Sequence, residues 1–283
     1  MSGRPERIIS LCTNSYGSYG SAVAIERLAE AGLKWVELPL RTRGFITRAQ
    51  DPPLLSTGAD AAEIGGVERL LQRTGVGISS CNILSGNPLD PQVLEITRDK
   101  LQLAQRLGVT LCVGDAGHAP TAADLPVLYD RLRRIGDMAA DCGIIYCCET
   151  HPGLFQHPEV MLETLQSVDH PHIRINVDTA NLLFHNVGVD IATSLPKILP
   201  FTRSLHLKDT PGGYQEYNFP ALGDGGAIDF RQIRELAEAA DFTGPYCIEI
   251  QGRRDEPEPS LEEVHRRVVA SIETLRCCGY FDA

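Results

Sequence analysis

Several common features are missing from this chain, and each absence narrows what it encodes. No apolar run approaches the roughly 18–20 residues that span a bilayer, so no transmembrane helix is expected. The opening residues, MSGRPERIIS, contain no apolar signal-peptide core. Positive charge is scarce: 26 Lys and Arg stand against 37 Asp and Glu, for a net charge of −11 and a pI near 5.2. Such a surface repels polyphosphates and argues against nucleic-acid or anionic-membrane partners. No repeated CxxC occurs among the nine cysteines, which include the adjacent pairs Cys147-Cys148 and Cys277-Cys278. Neither a zinc ribbon nor a disulfide framework is indicated. Reduced thiols in a cytoplasmic protein are the expectation. A GxGxxG phosphate turn is also absent: the first candidate strand runs into CTNSYGSYG.

What is present is an alternating pattern. Eight short β-branched or apolar runs read as strands: 8–14, 34–40, 77–83, 110–115, 144–150, 173–179, 204–209 and 246–252. Amphipathic stretches follow them at 21–32, 65–75, 91–108, 124–143, 158–168, 190–199, 229–240 and 262–279. Glycine repeatedly closes these stretches, as at Gly32, Gly75, Gly108 and Gly143, where a helix end favours a left-handed residue. Eight βα units without a linker-like shift in composition predict an α/β fold, a (β/α)8 barrel forming a single domain over residues 1–283. A chain of this length buries roughly 75% of the surface its unfolded form exposes. The long segments 41–60 and 210–227 follow strands 2 and 7, on the face where barrels bind ligands.

Alternation along a strand selects the rim residues. The fifth strand, IIYCCET, runs into Glu149, with Cys147 on its side. IRINVD carries Asp178 with Asn176; SLHLKD carries Ser204, His206 and Lys208; YCIEIQG carries Cys247, Glu249 and Gln251. Four consecutive strands thus deliver Glu149, Asp178, His206 and Glu249 to one rim. Three clustered carboxylates repel one another, and a divalent cation relieves that repulsion. With one imidazole added, the set suits Mn²⁺ or Mg²⁺, and accommodates Co²⁺, Fe²⁺ or Zn²⁺.

These residues carry a family resemblance. ETHPG with Glu149, NVDTANLLF with Asp178, LHLKD with His206, IEIQG with Glu249 and the segment GDGGAIDF at 223–230 resemble the xylose-isomerase-like TIM barrel superfamily, in its sugar phosphate isomerase/epimerase group. The resemblance implies one divalent ion, Mn²⁺ first, held by Glu149, Asp178, His206 and Glu249. It implies that the two glutamates move protons at the carbon beside a sugar carbonyl, through a metal-stabilised enediolate. A small sugar or keto-polyol is the implied substrate, and a homodimer or homotetramer the implied assembly. The chain departs from the ketose 3-epimerases at two places: Asn181 stands where they carry histidine, and Gly212 where they carry arginine. The dehydratases of the superfamily use a Glu-x-His like Glu149-Thr150-His151. His151 is therefore a candidate acid or base, or alternatively a loop histidine bonded to a carbonyl.

An isomerase or epimerase is thus the first expectation. A lyase acting on a keto-cyclitol or 3-keto-glycoside is the alternative. A non-catalytic sugar-binding protein comes third. An endonuclease IV-like repair enzyme is disfavoured, because residues 207–227 contain no histidine and Asn181 replaces another that it needs. Lys208 is expected to act on a substrate oxygen or an enolate, or to pair with Glu249 or Asp178. Asn14, Glu37, Asn82, His118, Asn181 and Tyr214 are candidate substrate contacts, with Tyr16 beside them and Trp35 as an apolar wall. His185 reads as structural at a helix start. Arg41, Arg43 and Arg48 belong to a lid or to plain surface.

Overall fold

The computed structural model describes residues 6–44 and 52–281. Arg48 lies outside them. Eight parallel strands close on themselves: β1 (Ile9–Cys12), β2 (Trp35–Arg41), β3 (Gly77–Asn82), β4 (Leu111–Gly114), β5 (Ile145–Glu149), β6 (Ile173–Asp178), β7 (Thr202–Leu207) and β8 (Tyr246–Ile248). Each pairs with its sequence neighbours, and β8 pairs with β1 to complete the barrel. Eight principal helices surround it: α1 (Gly20–Glu30), α2 (Ala61–Thr74), α3 (Pro91–Arg106), α4 (Asp124–Asp141), α5 (Pro158–Val168), α6 (Ile191–Ile198), α7 (Phe230–Ala239) and α8 (Leu261–Cys277). This is a (β/α)8 barrel. No helix among the described residues is long and apolar enough to cross a membrane, and all nine cysteines are free.

The main core lies between strands and helices. Leu11, Val36, Ile175, Leu205 and Ile248 turn outward from the strands and pack with Ile25, Leu132, Ile233 and Val268 of the helices, all essentially without solvent exposure. Burying each such side chain contributes about 1.5–3 kcal/mol. Acidic N-caps set several helix starts. Asp60 and Glu63 form a reciprocal capping box, which starts α2 at residue 61 rather than 65. Asp90, Asp190 and Asp229 cap α3, α6 and α7. Inside the barrel, Ser10, Cys12, Cys147, Asn176, Ser204 and Cys247 are fully buried. Barrels commonly fill this space with branched aliphatics; here it is small and polar.

Three local expectations are corrected. Strand 1 stops at Cys12, and Thr13–Tyr19 turns as a 3-10 segment. Strand 8 is only three residues long. Its sequel pairs elsewhere: Gly252–Arg253 runs antiparallel to Asn218–Phe219, clipping the loops after β7 and β8 together. Trp35 is no wall of a site. It sits at the opposite end of β2 from the rim, 38% exposed, lying against Gly77.

Candidate metal centre

Glu149 and Asp178 are the last residues of β5 and β6, and His206 is the last but one of β7. Glu249 follows β8 and still donates its backbone N–H to Leu207 O at 3.0 Å. The register sets Asp178 beside His206 and His206 beside Cys247. One ligand atom from each of Glu149, Asp178, His206 and Glu249 lies within 4.8 Å of the others, and all four residues are buried.

Asp178, His206 and Glu249 are each fixed through one atom and leave another turned into the cluster. Asp178 Oδ1 accepts the Asn181 N–H at 2.8 Å, capping the short helix Thr179–Phe184. Glu249 Oε1 accepts from Gln251 Nε2 at 2.6 Å and Lys208 Nζ at 3.4 Å. His206 points Nε2 at Glu37, 3.1 Å from Oε1. A carboxylate only accepts, so Nε2 donates. Nδ1 then faces Glu149 Oε1 at 3.3 Å and Glu249 Oε2 at 3.2 Å. Glu37 is held from its other side by Ser80 Oγ at 2.8 Å, Asn82 Nδ2 at 3.4 Å and Cys12 Sγ at 3.4 Å. The pattern matches the carboxylate–histidine pairs that orient metal-binding imidazoles.

Four buried polar atoms here have no hydrogen-bond partner: Glu149 Oε2, Asp178 Oδ2, His206 Nδ1 and Glu249 Oε2. One comes from each cluster residue. Leaving even one such atom unsatisfied costs about 1–3 kcal/mol. Three carboxylate oxygens and one imidazole nitrogen fit a hard or borderline divalent ion.

The electrostatics agree. Burial pushes Asp178 up to about 6 against the pull of Lys208, whose Nζ is 3.4 Å from Oδ2. Burial also works against ionised Glu249, but Lys208 and His206 outweigh it and hold Glu249 well below the usual range. Burial would lower His206, yet Glu37, Glu149 and Glu249 raise it well above its ordinary value.

Other expected site residues fall into three groups. Asn181 joins the cluster: its side chain donates to Thr150 O at 3.0 Å, and its Oδ1 is 3.5 Å from Lys208 Nζ. Glu37 and Asn82 lie beneath it, fully or nearly buried, so Glu37 faces His206 rather than a ligand in the mouth. His151 and His118 line a cleft of about 290 Å³ with Glu149 and Asp115. His151 Nδ1 is 3.8 Å from Glu149 Oε2 and 3.9 Å from Asp115 Oδ1, and its side chain is 34% exposed. Asn14 lines a larger cleft of about 690 Å³ beside β8. Tyr214 is 53% exposed and lines neither cleft. His185 stands at the end of the short helix rather than its start, edge-on to His151.

Sequence reasoning overlooked Asp115. It accepts the Ser85 and Gly86 N–H groups, both at 2.9 Å, and flanks His151. Its signal was available, since it directly follows β4 as Glu249 follows β8.

Residues 25–272 match the family described as xylose isomerase-like TIM barrel, and the chain belongs to that family. Among curated relatives, an inosose dehydratase of Geobacillus thermodenitrificans (strain NG80-2) is 26% identical over 176 residues. That match spans 56% of this chain and 56% of the relative, so about half of each. Solved structures share the fold. A xylose isomerase-like TIM barrel protein from Mycobacterium smegmatis, in complex with magnesium, superposes with a TM-score of 0.73 at 20% identity, covering 97% of this chain and 98% of that one. An L-ribulose 3-epimerase gives a TM-score of 0.71 at 17% identity, covering 96% of both.

Proposed function

We propose that this protein is a divalent-metal-dependent isomerase or epimerase of a small sugar or keto-polyol, with Mn²⁺ as the first-choice ion. The four buried atoms of Glu149, Asp178, His206 and Glu249 that lack a hydrogen bond and converge on one space carry this reading. A divalent ion held by them would polarise a substrate carbonyl and acidify the adjacent C–H. Glu149 and Glu249 each direct an oxygen into the same space. One removes the proton and the other returns it, which inverts the carbon between them. Lys208 keeps Asp178 and Glu249 anionic, and Glu37 keeps the Nδ1 lone pair of His206 facing inward.

A second reading is a dehydratase of a keto-cyclitol or a lyase of a 3-keto-glycoside. The position of His151 favours it. A partly exposed imidazole between Glu149 and Asp115 is placed to protonate a leaving oxygen. The inosose dehydratase relative supports the same reading. Both reactions begin with loss of a proton beside a carbonyl.

NMR of Mn²⁺-loaded protein with keto-sugars, inososes and 3-keto-glycosides in D₂O separates them. Deuterium beside the carbonyl without loss of water is expected. An unsaturated product identifies the lyase. His151→Asn then slows elimination by about 10²–10⁴-fold while proton exchange persists. Complete absence of exchange would refute both readings.

A further inference from the structure

The 690 Å³ cleft beside β8 is larger than the one at His151, and its charge runs against that of the chain. Arg41, Arg253, Arg254 and Arg267 line it, and among the described residues Glu256 and Glu258 are its only acids. Both acids are engaged: Glu256 pairs with Arg267, and Glu258 accepts the Ser18 hydroxyl. Among the described residues, no carboxylate lies within ion-pair distance of Arg253 or Arg254. In a protein of net charge −11 this is a local positive wall.

The wall is coupled to the candidate centre. The Arg254 guanidinium lies 5.2 Å from the centre of the Tyr217 ring, a stacking distance that orients it. Tyr217 donates its hydroxyl to Gln251 Oε1 at 3.1 Å, and Gln251 Nε2 donates to Glu249 Oε1 at 2.6 Å. The antiparallel clip between Asn218–Phe219 and Gly252–Arg253 joins the two loops that carry these residues. Arg254 is therefore linked to Glu249 through one ring contact and two hydrogen bonds.

We propose that the substrate carries an anionic group, a carboxylate or a phosphate monoester, and that Arg253 and Arg254 receive it in this cleft. Guanidinium forks match both anions with paired hydrogen bonds. The proposal rests on the reading of the neighbouring cluster as catalytic, and it narrows the substrate class from sugars to sugar acids and sugar phosphates. A cleft of this volume falls within the range of small-molecule sites.

Calorimetric titration of chelator-treated protein tests it, because without an ion the cluster does not capture the anion. The probes are inorganic phosphate, D-gluconate and neutral D-glucitol at matched ionic strength. Phosphate or gluconate is expected to bind, and glucitol is not; the tighter anion tells phosphate from carboxylate. The double variant Arg253→Gln/Arg254→Gln should weaken anion binding at least about tenfold, the scale of one lost charged hydrogen bond. Arg98→Gln, on an exposed face of α3, should leave it unchanged. Equal anion affinity in wild type and double variant, or glucitol binding as tightly as gluconate, overturns the proposal. So does metal-loaded wild type that epimerises neutral ketoses with a kcat/KM as high as for their phosphates and acids, and that result would leave the proposed reaction standing.

Discussion

Two sets of buried acids lie at the same end of the barrel, and the fold treats them in opposite ways. Asp209, three residues beyond His206, uses both oxygens. Oδ1 accepts from Thr210 N at 2.9 Å and Ile228 N at 3.3 Å, and Oδ2 from Gly223 N at 2.8 Å. It pins the loop after β7 to the barrel, and Gly226 packs so close that a Cβ there would fall 1.8 Å from Oδ1. Glu149, Asp178 and Glu249 are as well buried, yet each keeps an oxygen without a hydrogen-bond partner. Burial alone does not mark a functional carboxylate. The distinction lies in whether its acceptors are already occupied.

Substitutions on the two sides should separate activity from stability. The largest effect is expected at the cluster. Glu249→Gln should lower turnover by about 10²–10⁴-fold in the NMR exchange assay, with little loss of melting temperature. Next comes the brace behind His206. Glu37→Gln should weaken Mn²⁺ binding about 10–100-fold, measured by titration calorimetry, while the four ligands stay in place.

Proton competition gives a third test. His206 is raised well above its ordinary value and must lose its Nδ1 proton to bind an ion. Asp178, raised to about 6, stays ionised above that pH and becomes protonated below it. Lowering the pH should therefore weaken binding, about tenfold per unit down to pH 6 and about a hundredfold per unit below it. A single slope across pH 5–7 would show that Asp178 does not take up a proton near pH 6.

The smallest effect on chemistry belongs to Asp209. Asp209→Asn should cost about 1–3 kcal/mol of stability in urea unfolding and leave kcat nearly unchanged. If kcat fell as it does for Glu249→Gln, the contrast between the two sets would collapse.

Much of this was legible in the chain. Strand periodicity placed the eight barrel strands and put Glu149, Asp178, His206 and Glu249 on one rim, because a residue's side follows from its neighbours. Local boundaries were less legible. The start of α2 depended on the Asp60–Glu63 capping box, and β8 ended early because the following residues pair with the β7 loop. Tertiary partners were illegible. Glu37 reads as one more acid facing the mouth until His206, 169 positions away, is seen to hold it. Tyr214 looked suited to a hydroxyl contact, but its loop turns it outward.

The bond between Glu37 and His206 also divides labour between the two halves of the barrel. All four proposed ligands lie on or directly after β5–β8, so the C-terminal half contains the complete proposed set. The carboxylate that fixes the protonated nitrogen of His206 arises from β2, in the other half. A C-terminal half-barrel alone would carry every proposed ligand but leave its imidazole free to exchange tautomers. Closing the cylinder thus selects a protonation state as well as a shape.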